Sequence, residues 1–177
     1  MMTDATPEFS RPLPVERLPN EGRHLTIHAE ATECAALAKR FDLNALDVLE
    51  AKLHAKPFAR GELVRLTGHL TARVTQTCGV TLVPVTSDLA GDFELTFTFE
   101  APEPDAQEIE LDAEAEDPPE QILDGVIDVG EVVAEQLALL IDPFARAPGA
   151  EFQALNEDED PVTASPFAAL AALRKRQ

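Results

Sequence analysis

Alternation between apolar and polar residues over positions 49–74 is the feature that most constrains the fold. Apolar side chains recur at every second position from Leu49 to Pro57, and again from Val64 to Ala72 and Val74, with a glycine at 68. A period of two puts successive side chains on opposite faces of a strand. The pattern therefore predicts two half-buried antiparallel strands joined by a four-residue hairpin loop at 59–62.

This hairpin register places Lys56 opposite Arg65 and Lys52 opposite His69, with both apolar faces on one side of the sheet. The other face is rich in cations, because Glu50 and Glu62 are its only carboxylates. The candidate RNA-binding residues are Lys52, His54, Lys56, Phe58, Arg60, Arg65, His69 and Arg73. Cations at this density suit an RNA backbone, and an aromatic ring can stack on a base. A second interpretation stays open, because every half-buried sheet has a polar outer face and lysines there discourage edge aggregation.

The remaining periodicities predict further strands near 24–30, 80–86, 92–99 and 122–127, and helices near 32–41 and 129–141. The second helix is well marked, because Asp128 and Glu131 have the spacing of a capping box. The expected fold class is α+β. It consists of a mainly antiparallel, strongly bent sheet or partly open barrel, packed with two helices.

A chain of 177 residues is long enough for one compact domain, here expected over 22–150. Residues 1–21 hold four prolines and predict an extended N-terminal arm. Residues 100–120 contain ten carboxylates and no Lys or Arg, and predict an acidic loop. This loop either keeps the protein in solution or imitates nucleic acid by occupying the basic face. An acidic linker is expected over 151–164.

Residues 165–177 predict a short amphipathic C-terminal helix. Ser165 and Pro166 suit its first turn. The candidate partner-binding residues are Phe167, Leu170, Leu173, Arg174, Lys175 and Arg176. Such a short helix is marginal alone, so it either docks on a partner or packs on its own sheet.

The charge of −19 is unevenly placed, since residues 92–177 hold 22 Asp and Glu against four Lys and Arg. A basic patch can therefore exist elsewhere, and a nucleic-acid partner is not excluded. The two cysteines, Cys34 and Cys78, are too few for a disulfide framework, and the sequence lacks a signal peptide or an apolar span. A cytoplasmic protein without membrane attachment is expected.

Sequence motifs give no catalytic residues, metal ligands or cofactor site, and no small-molecule substrate is expected. Cys78, beside Gly79, is either a small buried hydrophobe or a reactive thiol at a strand end. The four histidines fall in two pairs on different elements, which does not predict a metal site.

The motifs "GHLTARVTQTCGVTLVPV", "DGVIDVGEVVAEQLALLIDPFARAPGAEF" and "PFAALAALRKR" occur in this order. In this order and spacing the chain resembles the YceD-like family of large ribosomal RNA subunit accumulation proteins, most closely its alphaproteobacterial branch. The resemblance covers roughly residues 10–177. Many relatives carry a second cysteine three residues after the first, where this chain has Thr81, so a zinc or redox site is not expected here.

The resemblance implies a noncatalytic role in bacterial ribosome biogenesis, in the synthesis, processing or accumulation of large-subunit (23S) ribosomal RNA. The expected partners are precursor ribosomal RNA, a ribosomal protein, or both. The alternative is a protein-interaction adaptor that acts through its C-terminal segment without contacting RNA.

Overall fold

The computed structural model describes residues 7–100 and 118–151, which form an α+β fold. The strands are β1 (Pro12–Pro14), β2 (Arg23–His28), β3 (Ala45–Phe58), β4 (Leu63–Thr77), β5 (Pro84–Thr98), β6 (Glu120–Gln121) and β7 (Val126–Asp128). The helices are α1 (Ala31–Arg40) and α2 (Val129–Leu140), and a 3-10 turn covers Ala59–Gly61. Neither helix is long and apolar enough to cross a membrane.

Five strands form the main sheet in the order β2-β3-β4-β5-β6. All neighbours are antiparallel except β5 and β6, and a separate ribbon pairs β1 with β7. Over the described residues β2 and β6 lie at opposite edges of this sheet and do not pair with each other. The architecture is therefore an open sheet, not a closed barrel.

The predicted hairpin is confirmed both in its register and in which of its two faces is buried. Lys56 pairs with Arg65 and Lys52 pairs with His69. The inward side chains of both strands are at most 5% exposed and belong to the core: Leu49, Ala51, Leu53 and Ala55 on β3, and Val64, Leu66, Leu70, Ala72 and Val74 on β4. Gly68 interrupts this row, and the ring of Phe93 on β5 fills the space where a side chain would stand.

The two strands predicted at 80–86 and 92–99 are a single strand, β5, which pairs with β4 along its whole length. Gly91 lies between the two predicted strands and leaves space for a neighbouring side chain. In the fold that space is filled by Leu140 of α2, because a Cβ at Gly91 would lie 2.8 Å from Leu140 Cδ1. Pairing with the long strand β4 and the contact with α2 continue the strand through residues 87–91, where the sequence pattern did not predict one.

The prediction of a single strand over 122–127 is also wrong. The chain instead forms the two short strands β6 and β7. Between them Asp124 and Gly125 adopt φ angles of 53° and 70°. This left-handed backbone is the conformation that glycine favours, and it turns the chain between the main sheet and the ribbon with β1.

Both predicted helices are confirmed to within one residue at each end. Asp128 caps α2 by accepting hydrogen bonds from the backbone N–H groups of Gly130 (3.0 Å) and Glu131 (3.3 Å). It also accepts from the backbone N–H of Arg11 (2.7 Å). The N-terminal region of the chain is thereby held against the start of α2, and Phe9, Leu13 and Val15 are part of the core.

Candidate nucleic-acid interface

The candidate RNA-binding side chains are brought together on the outer face of β3 and β4. Lys52, Lys56, Arg65, His69 and Arg73 are all exposed there, while His54 and Phe58 are half-buried. Pairing of Lys56 with Arg65 and of Lys52 with His69 arranges four of them in two rows across the hairpin. Arg60 lies in the connecting turn. The sheet therefore presents seven of the eight predicted side chains on one face, and Arg60 lies at the end of the hairpin.

Three carboxylates from β5 lie on the same face, and the sequence analysis did not anticipate them. Asp88 Oδ1 is 2.7 Å from Arg73 Nε, and Asp92 Oδ1 is 2.7 Å from His69 Nδ1. Glu94 Oε1 is 3.1 Å from Arg65 Nε. The alternation in "SDLAGDFEL" was the available signal, since it places all three acids on one side of a strand.

The ion pairs on β4 are exposed and therefore exchangeable. The side chains of Asp88 and Arg73 are 72% and 53% exposed. Hydrogen bonding from Arg73 holds the pKa of the Asp88 carboxyl below its usual value, so this carboxyl is ionised at neutral pH. Exposed pairs of this kind contribute little to stability, because water screens both charges. A phosphate group can therefore compete with the carboxylate for the guanidinium group.

The cations of β3 and of the turn that follows it differ from those of β4 in having no carboxylate partner among the described residues. Among the described residues no carboxylate lies within salt-bridge distance, 4.0 Å, of Lys52, Lys56 or Arg60. Arg60 and the preceding Ala59 have φ angles of 60° and 48°, so the turn is left-handed at both residues. This turn projects Arg60 into solvent. The strip Lys52, Lys56 and Arg60, here called the β3 strip, is the part of the face with the most available positive charge.

Phe58 is less available for base stacking than the sequence suggests. The guanidinium carbon of Arg65 lies 4.8 Å from the centre of the Phe58 ring, in a cation–π arrangement. One face of the ring is therefore covered. Arg65 is held between this ring and Glu94, which fixes its position on the surface.

A stacked histidine pair borders the β3 strip. The rings of His24 on β2 and His54 on β3 lie 4.0 Å apart and are nearly parallel, at 8°. They face each other directly across the two strands. A depression of about 590 Å³ on this face is lined by both histidines together with Lys52, His69, Asp92 and Glu94. No cluster of three or more metal-ligating side chains is formed within the described ranges 7–100 and 118–151.

Cys78 is fully buried, and its sulfur accepts hydrogen bonds from the backbone. Backbone N–H groups of Val80 (3.4 Å), Thr81 (3.3 Å) and Ala147 (3.3 Å) donate to Sγ. Hydrogen bonding from the Thr81 side chain, followed by these N–H groups, lowers the pKa of the Cys78 thiol to about 6. The sulfur thus ties the β4–β5 connection to the segment after α2. Thr81 stands where the resemblance places a second cysteine in many relatives.

The partner-binding candidates Phe167, Leu170, Leu173, Arg174, Lys175 and Arg176 lie outside the described residues, as do the acidic residues 101–117. Their predicted roles stay predictions.

Comparison with known proteins identifies the family. The model of the family described as large ribosomal RNA subunit accumulation protein YceD matches residues 66–174, which is more than half of the chain. No curated protein and no solved structure matches the chain. The matched range begins within β4 and includes β5 and α2. On this match, the chain belongs to the YceD family, whose name indicates a role in the accumulation of large-subunit ribosomal RNA.

Proposed function

We propose that this protein is a noncatalytic factor in the synthesis, processing or accumulation of large-subunit ribosomal RNA, and that it binds precursor RNA through the outer face of β3 and β4. The β3 strip, Lys52, Lys56 and Arg60, supplies the first phosphate contacts. The observation that carries the proposal is the position of this strip beside the exchangeable cations of β4. Assignment to the alphaproteobacterial branch remains a prediction from the same motifs.

The surface suits single-stranded RNA with modest sequence preference. Lysines and arginines on an open sheet face contact phosphates, and the stacked imidazoles of His24 and His54 offer a flat aromatic surface beside them. The β5 carboxylates Asp88, Asp92 and Glu94 lower the net charge of the face and so limit nonspecific affinity. RNA that displaces them gains contacts with Arg65, His69 and Arg73.

Charge reversal in the β3 strip tests the proposal. The double variant Lys52→Glu/Lys56→Glu is compared with Arg17→Glu/Lys39→Glu, which has the same charge change at exposed positions off this face. Binding to transcribed fragments of large-subunit precursor RNA is measured over a range of salt concentrations. Loss of two phosphate contacts reduces the magnitude of the slope of log K against log salt by about 1.4. Equal affinities and slopes for the two double variants would eliminate RNA binding by this face.

Crosslinking in cells, with sequencing of the bound RNA and identification of the bound proteins, tests the cellular role. Enrichment of precursor ribosomal RNA over matched controls supports direct RNA binding. Enrichment of a ribosomal protein without RNA supports the adaptor alternative.

A further inference from the structure

A groove opens between the C-terminal ends of α1 and α2, away from the basic face. Its volume is about 610 Å³, and Phe41, Val80, Ala138, Ile141 and Phe144 form the apolar part of its lining. The Phe144 side chain is 76% exposed. Contiguous exposed apolar surface usually marks a binding site, because burying a large apolar side chain is favourable.

The electrostatics of the groove favour an occupant with a positive end. Phe41 and Ile141, the residues that cap the C-termini of α1 and α2, both line it. The C-terminus of a helix carries about half a negative elementary charge from its unpaired carbonyl groups. The exposed carboxylate of Asp42 adds to this potential, while Arg146 contributes one cation to the lining. Lys39 and Arg40 in the last turn of α1 offset the charge of that helix end. The last turn of α2 contains no basic residue, so the negative potential is strongest at the C-terminus of α2.

The chain itself contains a segment with the matching chemistry. In residues 165–177, Phe167, Leu170 and Leu173 recur at intervals of three, and three consecutive cations, Arg174, Lys175 and Arg176, follow them. A helical conformation would place the three apolar residues on one face. We propose that residues 165–177 bind intramolecularly in the α1–α2 groove, with the apolar face against Phe144 and Ile141 and the cations toward the C-terminus of α2.

The length of the tether permits this contact. The described chain ends at Glu151, only five residues after Arg146 on the rim of the groove. The 13 residues from 152 to 164 span at most about 45 Å when extended, which reaches any part of the groove. A tether of this length corresponds to an effective concentration in the millimolar range, so even weak docking is favoured. The family match, 66–174, contains most of the groove and residues 165–174 of the segment, including its three apolar residues.

Backbone amide NMR on the full chain tests the inference. The variant Phe167→Ser/Leu170→Ser/Leu173→Ser removes the apolar face of the segment. We expect chemical shift changes at the amides of Val80, Ala138, Phe144 and their neighbours, and none on β2 and β3 around His24 and Lys52. Unchanged groove amides, or changes concentrated on another surface, would overturn the proposal.

The reciprocal variant keeps the segment intact and changes the groove. Phe144→Ser is placed at an exposed position, so the fold is retained, and we expect it to shift the amides of residues 167–173 toward those of an isolated peptide. Leu123→Ser is the matched control, because Leu123 lies outside the groove and its side chain is 66% exposed. We expect this control to leave the amides of residues 167–173 unchanged. Spectra that are the same after tenfold dilution support docking within one chain. Dilution-dependent shifts would show docking between copies and overturn the intramolecular form.

Discussion

Arg73 Nε and Asp88 Oδ1 lie 2.7 Å apart across β4 and β5, and a second contact joins Nη2 to Oδ2 at 3.3 Å. The pair shows how the fold moderates the cationic face, since an adjacent strand supplies a carboxylate to a residue that looks unpaired in the sequence. His69 with Asp92 and Arg65 with Glu94 repeat the arrangement. The three pairs place acids along the same edge of the candidate RNA surface.

Removing these acids should strengthen RNA binding. In Asp88→Asn/Asp92→Asn/Glu94→Gln the cations of β4 are no longer compensated. The affinity for RNA should therefore be higher than that of the wild type, and it should decrease more steeply as the salt concentration increases. Thermal stability changes little, because water screens the charges of exposed pairs. The control Asp42→Asn/Asp124→Asn/Glu151→Gln makes the same charge change at exposed positions away from these pairs. If both triple variants bind RNA equally well, local compensation by β5 is not what limits affinity.

Gly68→Ala should destabilise the protein by about 1–3 kcal/mol in urea unfolding. An added Cβ would lie 2.3 Å from Phe93 Cζ and 2.7 Å from Leu53 Cδ2, so the ring that covers the glycine must move. Gly61→Ala is unsuitable as a control because its φ is 93°. Gly79→Ala is suitable, since no atom lies within 4 Å of its added Cβ. Equal stability of Gly68→Ala and the wild type would contradict the close packing of Phe93.

Cys78 should titrate well below an ordinary thiol. Thiolate absorbance in the folded protein is expected to rise with a midpoint near pH 6, compared with the usual 9.0, and to be lost in Cys78→Ser. Because the pKa in the folded state is depressed, the stabilisation is fully present above pH 9 and is lost as the pH falls to about 6. Urea unfolding of the wild type should show this decrease, and Cys78→Ser should show less of it. A midpoint near 9 would refute the role of the N–H donors.

Arg11 should stabilise the protein through Glu33. The guanidinium makes two hydrogen bonds to the carboxylate, at 2.7 and 2.8 Å, and hydrogen bonding from Arg11 lowers the pKa of Glu33. Arg11→Met should cost about 1–3 kcal/mol near neutral pH. The depressed pKa means that this contribution is present above the ordinary value of 4.5 and is lost as the pH falls further.

The unfolding curves of wild type and Arg11→Met should therefore converge in acid. Lys39→Met, at an exposed position on α1, is the control and should differ little from wild type at any pH. A constant difference between wild type and Arg11→Met at all pH values would assign the effect to packing over Phe9.

Local pattern was sufficient for the hairpin and the helices. The alternation on β3 and β4 determines which residues face the core, and a hairpin loop of given length leaves one register that buries both apolar faces. Asp128 was identifiable as a cap because capping depends on residues only two or three positions away. The break predicted between residues 86 and 92 and the single strand predicted over 122–127 were both wrong, because strand continuity and turns there depend on packing neighbours that are distant in sequence.

The sequence by itself determined that a two-stranded ribbon would bury its aliphatic side and turn Lys52, Lys56, Arg65 and Arg73 outward, because side-chain direction in a strand follows a period of two. Only the tertiary structure decided how much of that positive charge is compensated. The contacts of Asp88 with Arg73, of His24 with His54, and of Phe93 with Gly68 join separate strands, and such contacts depend on strand order and register across the whole sheet, which no local pattern contains.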